Sequence, residues 1–321
     1  MISVVIPVKD GGADLIRCLE AISRQRVDDE VEVVVVDSGS RDGSVARACG
    51  FGASVHEIPP QEFHHGRTRN IGARLARGDV LVFTSQDAHA ADDRWLAALI
   101  APLPQPGIAG VYGRQLPHDD ATPPERYFLD FLYGPHARVQ RLDGGQPLTF
   151  EATLFSNVNS AMPRALWEEY PFDEDIVMSE DQEWSRRVLR AGLGIVYEPE
   201  AAVHHSHAYS VMSAMRRFFD SGVSAERSYV DGTDSSAALR RAGIEYAQGE
   251  LAWLWTTGQR RWIPYTTVYE LAKFAGLQLG RRHRLLPAAV KSRMSSYPEH
   301  WKAARNAAES RGQGGGPVKG T

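Results

Sequence analysis

Cysteine is scarce in this chain: Cys18 and Cys49 are the only two among 321 residues. Their spacing suits neither a zinc site nor a redox motif, so a disulfide scaffold and dithiol chemistry are excluded and reduced core thiols are expected, which fits the cytoplasm. Strong charge of one sign is lacking too, since 36 Lys and Arg face 40 Asp and Glu for a net charge of −4. That balance gives nucleic acid no global attraction. No uncharged apolar run approaches the ~18–20 residues of a membrane span. Met1 leads straight into Ile2-Ser3-Val4-Val5-Ile6-Pro7, which reads as a strand rather than a signal peptide. An internal repeat is also missing. What remains is an ordinary globular composition, 43% hydrophobic and 24% charged, in a chain long enough for one large or two modest domains. A soluble protein is expected.

The first two hundred residues alternate β-branched runs with helical patterns. Val31–Asp37 is nearly all valine, the composition of a strand buried on both faces of a parallel sheet, and Ile2–Val8 and Asp79–Ser85 read alike. Helices are expected at Asp14–Arg24, Ser44–Cys49, Arg67–Arg77, Arg164–Tyr170 and Glu180–Ala191, with a last strand at Gly194–Tyr197. This rhythm predicts an α/β fold with right-handed crossovers, whose ligands sit at the carboxyl ends of the strands. Asp143-Gly144-Gly145 reads as a loop. From about Tyr209 the pattern turns helical and more basic, with breaks at Gly222, Gly232, Gly258, Pro264 and Pro287, and residues 312–321 read as a flexible tail.

Four segments carry residues suited to chemistry. Asp37 closes the second strand and opens Ser38-Gly39-Ser40-Arg41-Asp42-Gly43-Ser44, where a carboxylate accepts from a base or ribose and glycines let the backbone approach closely. A turn capped by Ser40 or Asp42 explains the same residues. Ser85-Gln86-Asp87 follows the next apolar strand, and Asp87 there suits either a divalent cation bound to phosphates or a helix cap. Ser179-Glu180-Asp181-Gln182-Glu183-Trp184 opens a helix. Ser179 with Gln182 fits a capping box, yet three carboxylates exceed what capping needs and leave one for a general base. His204-His205-Ser206-His207 offers imidazole ligands, or is a run of surface histidines.

Taken in order, Val4-Val5-Ile6-Pro7-Val8-Lys9-Asp10, Val36 to Ser44, Arg69-Asn70-Ile71-Gly72, Ser85-Gln86-Asp87, Glu180-Asp181 and the histidines resemble family 2 inverting glycosyltransferases of the GT-A fold. Phe63 to Asn70, Thr84 to Ala88, His205 to Ser210 and Met215 to Gly222 are similar to the family's rhamnosyltransferase branch. The resemblance implies a mostly parallel nucleotide-binding sheet flanked by helices, with a helical C-terminal extension. It divides the chain into a catalytic domain over 1–208 (donor half 1–115, acceptor half 116–208), helices over 209–311 and a tail. It implies transfer of a sugar, L-rhamnose from dTDP-L-rhamnose, to a glycan or lipid-linked acceptor in O-antigen or related cell-surface polysaccharide assembly.

The roles it assigns are specific. Asp181 is the catalytic base. Pro7, Asp10, Asp37, Ser38, Arg69, Asn70, Ser85, Gln86 and Asp87 face the donor. Asp87 with His205 or His207 holds Mn²⁺ or Mg²⁺, and Asn157, Asn159, Glu180 and Trp184 line the acceptor side. Ser85 stands where the family's first D-x-D carboxylate sits, which is the reason to look to the histidines. Two competing readings have less behind them. A nucleotidyltransferase wants a glycine-rich, basic phosphate loop after the first strand, where Lys9 is the one base. A non-catalytic assembly protein has no need of Glu180, Asp181 and Asp87. Gln259-Arg260-Arg261-Trp262 is one residue short of the Q-x-x-R-W signature of processive polysaccharide synthases.

Residues 271–311 hold nine Lys and Arg against two acids, a local excess of +7 interleaved with Phe274, Leu285, Tyr297 and Trp301. That mixture fits helices lying on an anionic leaflet, or helices packed on the catalytic domain with a solvated basic face. The first reading places the protein peripherally at the cytoplasmic membrane face.

Overall fold

The computed structural model of the chain describes residues 1–142 and 148–301. The Asp143-Gly144-Gly145 loop, the 312–321 tail and the basic residues Lys302, Arg305 and Arg311 lie outside them. In chain order the elements are β1 (Ile2–Val8), α1 (Gly12–Ser23), β2 (Val31–Asp37), α2 (Ser44–Gly50), β3 (Ser54–Glu57), α3 (His65–Leu75), β4 (Val80–Thr84), β5 (His89–Ala90), α4 (Trp95–Ile100) and β6 (Ile108–Leu116). Then follow α5 (Pro123–Leu132), β7 (Arg138–Gln140), β8 (Asn159–Pro163), α6 (Arg164–Glu169), α7 (Glu180–Arg190), β9 (Gly194–His204), α8 (Val211–Ser228), α9 (Gly232–Thr256), α10 (Ile263–Arg281) and α11 (Ala288–Met294).

The strands form one sheet in the order β3-β2-β1-β4-β8-β6-β9-β5, with β7 also paired to β9. Strands β3, β2, β1 and β4 are mutually parallel, so the ends of β1, β2 and β4 share one edge. The sheet is less parallel beyond that half: β8 runs antiparallel to both β4 and β6, and β5 and β7 run antiparallel to β9. Alternation along the strands splits the core between two faces. Ile2, Val4, Ile6 and Val8 pack with Leu15, Cys18, Leu19 and Ile22 of α1, while Val5, Leu81 and Phe83 pack with Phe155, Phe172 and Trp184. Burial pushes the Cys18 thiol up to about 12, with Asp87 adding to the shift, so Cys18 stays a protonated core residue, whereas Cys49 at the end of α2 is exposed rather than in the core.

The last strand is much longer than its first four residues suggest. Pro199 marks an end in sequence, but the strand bulges there. Gly113 pairs with Glu198, Arg114 pairs with Ala202, and the ladder then runs on to His204. Gly113 makes the bulge fit, because a Cβ there would lie 2.0 Å from the Ala201 carbonyl. The consequence is functional, since the extension delivers His205 and His207 to the Asp87 edge.

Contacts divide the chain into two units, 1–208 with 227–266, and 209–226 with 267–321. Residues 227–266 therefore join the unit that contains the sheet, which the division at 208 had put in the helical extension. In the second unit Gly222 does not break a helix. It lies inside α8, where a Cβ would meet the Leu277 carbonyl of α10 at 2.3 Å. Gly276 and Gly280 of α10 approach the Met215 and Phe219 carbonyls in the same way, so three missing side chains set this helix pair's spacing.

Candidate active site

Three loops meet at the parallel edge. Asp37 is buried, and its Oδ1 accepts the N–H groups of Gly39 at 2.9 Å and Ser40 at 2.8 Å. Its Oδ2 is enclosed with no protein partner, an acceptor left for a donor from elsewhere. Gly39 sits at φ 86°, which allows this turn. Ser38 is buried and bonds the Val8 carbonyl through both its N–H and its hydroxyl. Asp10 stands at φ 46°, one of two non-glycine residues in the left-handed region among the described residues. Its N–H reaches Ser40 Oγ at 2.7 Å, and its Oδ1 accepts from the Arg41 N–H at 2.8 Å. Gln86 binds both backbone groups of Lys9, at 2.8 and 3.0 Å. Asp10 and Gln86 thus join the loops after β1, β2 and β4 into one rim, on which half-buried Pro7 and Ser85 also lie.

Asp87 faces two histidines. His205 Nε2 lies 3.7 Å from its Oδ1 and His207 Nε2 lies 3.5 Å from its Oδ2. One donor atom from each of the three residues falls within 4.8 Å of the others. One carboxylate oxygen and two imidazole nitrogens form a donor set that fits Mn²⁺ or a similar divalent ion, with positions left for phosphate oxygens. The His205 Nδ1 lies 2.9 Å from Gln115 Oε1, the outer contact expected of a metal-ligating imidazole.

The opposite wall is the start of α7. Ser179 is the second left-handed non-glycine residue, at φ 65°. That conformation turns its side chain away from the first helical N–H groups, so the expected capping box does not form and Ser179 makes no side-chain cap. Glu180 is buried, and its Oε1 accepts from Arg69 Nη1 at 3.0 Å and from Asn157 Nδ2 at 3.2 Å. Burial alone would raise this carboxyl, but Arg69 and then His65 hold it below its ordinary value. Asp181 accepts from the backbone N–H of Asn157 at 3.2 Å and of Gln182 at 2.8 Å. Burial first, and the ionised neighbour Glu180 second, push Asp181 up to about 7. A half-buried carboxylate tuned to that range is a competent general base near neutral pH.

Besides Ser38, Glu180 and Asn157, whose side chains are buried and bonded within the protein, four more residues expected to touch ligand are spent on the protein itself. Asn70 gives both amide hydrogens, to the Phe172 carbonyl and Glu174, and its Oδ1 accepts from Trp167 Nε1 and the Phe172 N–H. Asn159 is fully buried, donating to the Arg114 and Ala201 carbonyls and accepting from Trp95 Nε1. Trp184 is fully buried against Phe155 and Phe172 in the core on that side of the sheet. Arg69 binds Glu180 and the His65 carbonyl instead of reaching along the donor rim. Sequence reasoning missed Gln115, Tyr133 and Ser156, which sit behind the histidines. The signal for Gln115 was its place at the end of β6, a strand the sequence did not reveal.

The profile of glycosyl transferase family 2 matches residues 3–170 of this chain. The chain is 32% identical over 303 residues to RfbN, an O-antigen chain rhamnosyltransferase of Salmonella typhimurium, a match covering 94% of this chain and 96% of the relative. WbaN, an O-antigen chain rhamnosyltransferase of Salmonella anatum, is 30% identical over 84% of this chain and 86% of its own. Among solved structures, the mannosyltransferase PcManGT from Pyrobaculum calidifontis, in complex with GDP-Man and Mn²⁺, is similar at a TM-score of 0.60 and 18% identity. That match covers 88% of this chain and 87% of the neighbour. TarS 1–349 of S. aureus is similar at a TM-score of 0.52 and 16% identity, over 98% and 91% of the two chains. At these identities the two structures speak for the fold.

Proposed function

Because this chain belongs to glycosyl transferase family 2, we propose that it moves L-rhamnose from dTDP-L-rhamnose, with inversion, to a hydroxyl of a lipid-linked glycan during O-antigen or related polysaccharide assembly. Support for the sugar and the pathway comes from rhamnosyltransferases alike over nearly the whole chain at 32 and 30% identity. The observation that carries the chemistry is Asp181, a carboxylate raised to about 7 at the site wall. It takes the acceptor hydroxyl's proton as that oxygen bonds to the anomeric carbon and the carbon–oxygen bond to the diphosphate breaks. Asn157 and Gln182 orient Asp181 through their backbone N–H groups. The Asp37 rim takes the nucleoside, with Oδ2 as the free acceptor. Asp87, His205 and His207 would hold a divalent cation, which would supply positive charge to the departing diphosphate.

Residues 1–208 form the catalytic part in this reading, with the donor bound by 1–115 and the acceptor by 116–208. The protein works in the cytoplasm, peripherally on the membrane that carries its acceptor. No helix among the described residues is long and apolar enough to cross a membrane. Leu271, Phe274 and Leu285 are nevertheless exposed at 63, 54 and 81%, and Arg282, Arg284 and Arg293 in the same unit are exposed too. Exposed apolar and basic groups together favour an anionic lipid surface. The deciding experiment incubates the protein with Mn²⁺ and dTDP-rhamnose, UDP-glucose or GDP-mannose in turn and reads thermal protection and sugar transfer to lipid-linked glycan. Protection and transfer with dTDP-rhamnose are expected. A preference for another donor overturns the sugar assignment.

A further inference from the structure

Gln115 is the next-to-last residue of β6, is buried, and has every polar atom of its side chain engaged. Its Nε2 donates to Tyr133 Oη at 2.7 Å and to Ser156 Oγ at 3.0 Å. Both hydroxyls have lone pairs to accept these amide hydrogens. That leaves Oε1 as an acceptor, with His205 Nδ1 2.9 Å away. An acceptor at that distance selects a hydrogen on Nδ1, and a neutral imidazole then carries its lone pair on Nε2. Nε2 is the atom 3.7 Å from Asp87 Oδ1. A lone pair and a carboxylate turned toward one point are held together by a positive charge between them, and in the neutral imidazole that charge is a bound cation.

We propose that Gln115 is a positioning residue that holds His205 in the Nδ1–H tautomer, aiming Nε2 together with Asp87 at one divalent cation. The inference rests on reading Asp87, His205 and His207 as a cation site. Gln115 also spans the site: it bonds Ser156, and the next residue, Asn157, gives its backbone N–H to Asp181 at 3.2 Å. A single strand-end amide therefore ties the cation side to the base side.

Two measurements test this. Nitrogen-15 NMR of the histidine rings in the metal-free full chain reads the His205 tautomer, with His205→Gln giving the assignment. Paramagnetic resonance titration with Mn²⁺, alone and with dTDP, reads cation affinity in the wild type, Gln115→Leu and Gln115→Glu. The Nδ1–H tautomer is expected in the wild type. Gln115→Leu should weaken Mn²⁺ binding by ~10–100-fold, the usual loss when an outer-shell partner goes. Gln115→Glu should keep or tighten it, because a carboxylate still accepts from Nδ1–H and both hydroxyls can donate to it. A role in packing alone predicts the reverse ranking, since Leu is tolerated in a core better than a buried charge. An Nε2–H tautomer in the wild type, or Mn²⁺ binding in Gln115→Leu equal to wild type, overturns the assignment. If Gln115→Leu does not fold, the tautomer and Gln115→Glu decide, and a Gln115→Glu chain that folds but loses Mn²⁺ overturns it. A wild-type chain that binds no Mn²⁺ overturns the cation reading and the aim of the lone pair with it. The tautomer tells that failure apart from a failure of Gln115 itself.

Discussion

Arg69 and Glu180 form an ion pair, Nη1 to Oε1 at 3.0 Å, with both side chains more than nine-tenths buried. The pair keeps Glu180 ionised in a place where burial would otherwise protonate it, and that charge is one of the two causes that raise Asp181. Glu180→Gln should therefore lower the Asp181 pKa and move the acid limb of the kcat/KM profile to lower pH than in the wild type. An unmoved limb would show that burial alone sets the base. Arg69→Met leaves Glu180 buried and unpaired, and urea unfolding should show a loss of about 3–5 kcal/mol.

Asp181→Asn should bind nucleotide-sugar as the wild type does while transfer falls by ~10²–10⁴ or more. The same variant reports on linkage. Asp181 is raised in the fold to about 7, above the ~3.9 of an unfolded aspartate. Between those values the native state binds the extra proton, so this group's contribution to stability falls as pH rises. Asp181→Asn lacks that dependence, and its melting temperature relative to wild type should be more favourable at pH 8 than at pH 5.

Asn70→Ala should be a stability lesion rather than a donor-binding one. It strands the Trp167 indole N–H and both backbone groups of Phe172. Each buried group so stranded costs roughly 1–3 kcal/mol. Calorimetry should show a lower melting temperature, with donor affinity unchanged at a temperature where the variant is folded.

Chelation with excess EDTA should abolish transfer, and Mn²⁺ should restore it. Asp87→Asn should need much more Mn²⁺ for half-maximal rate, since it removes the one carboxylate of the cluster. Full activity in excess chelator would instead assign the leaving diphosphate to arginine and lysine side chains.

Vesicles containing phosphatidylglycerol should sediment the protein at low salt and release it at high salt. The double variant Leu271→Ser, Phe274→Ser should bind less, since both side chains are more than half exposed. Equal binding by the variant would leave these residues out of any membrane contact.

The sequence on its own carried the donor edge. Ile2–Val8 and Val31–Asp37 were legible as strands because residues buried on both faces of a parallel sheet must be almost uniformly apolar, so a polar residue at each run's end announces the ligand side. Asp37 and Asp87 stood out for that reason, Glu180-Asp181 stood out because its acids exceed what a helix start needs, and the whole pattern resembled its family in order. Tertiary structure decided which polar residues remain available. Asn70, Asn159 and Gln115 look alike along the chain, yet Asn70 meets Phe172, Asn159 meets Ala201 and Gln115 meets His205 across 102, 42 and 90 residues. Periodicity reports which face a residue occupies. Whether its hydrogen-bonding groups are satisfied depends on partners brought from distant strands, and the bulge at Pro199 that carries His205 to Asp87 is set by the close approach Gly113 permits, which local patterning does not encode.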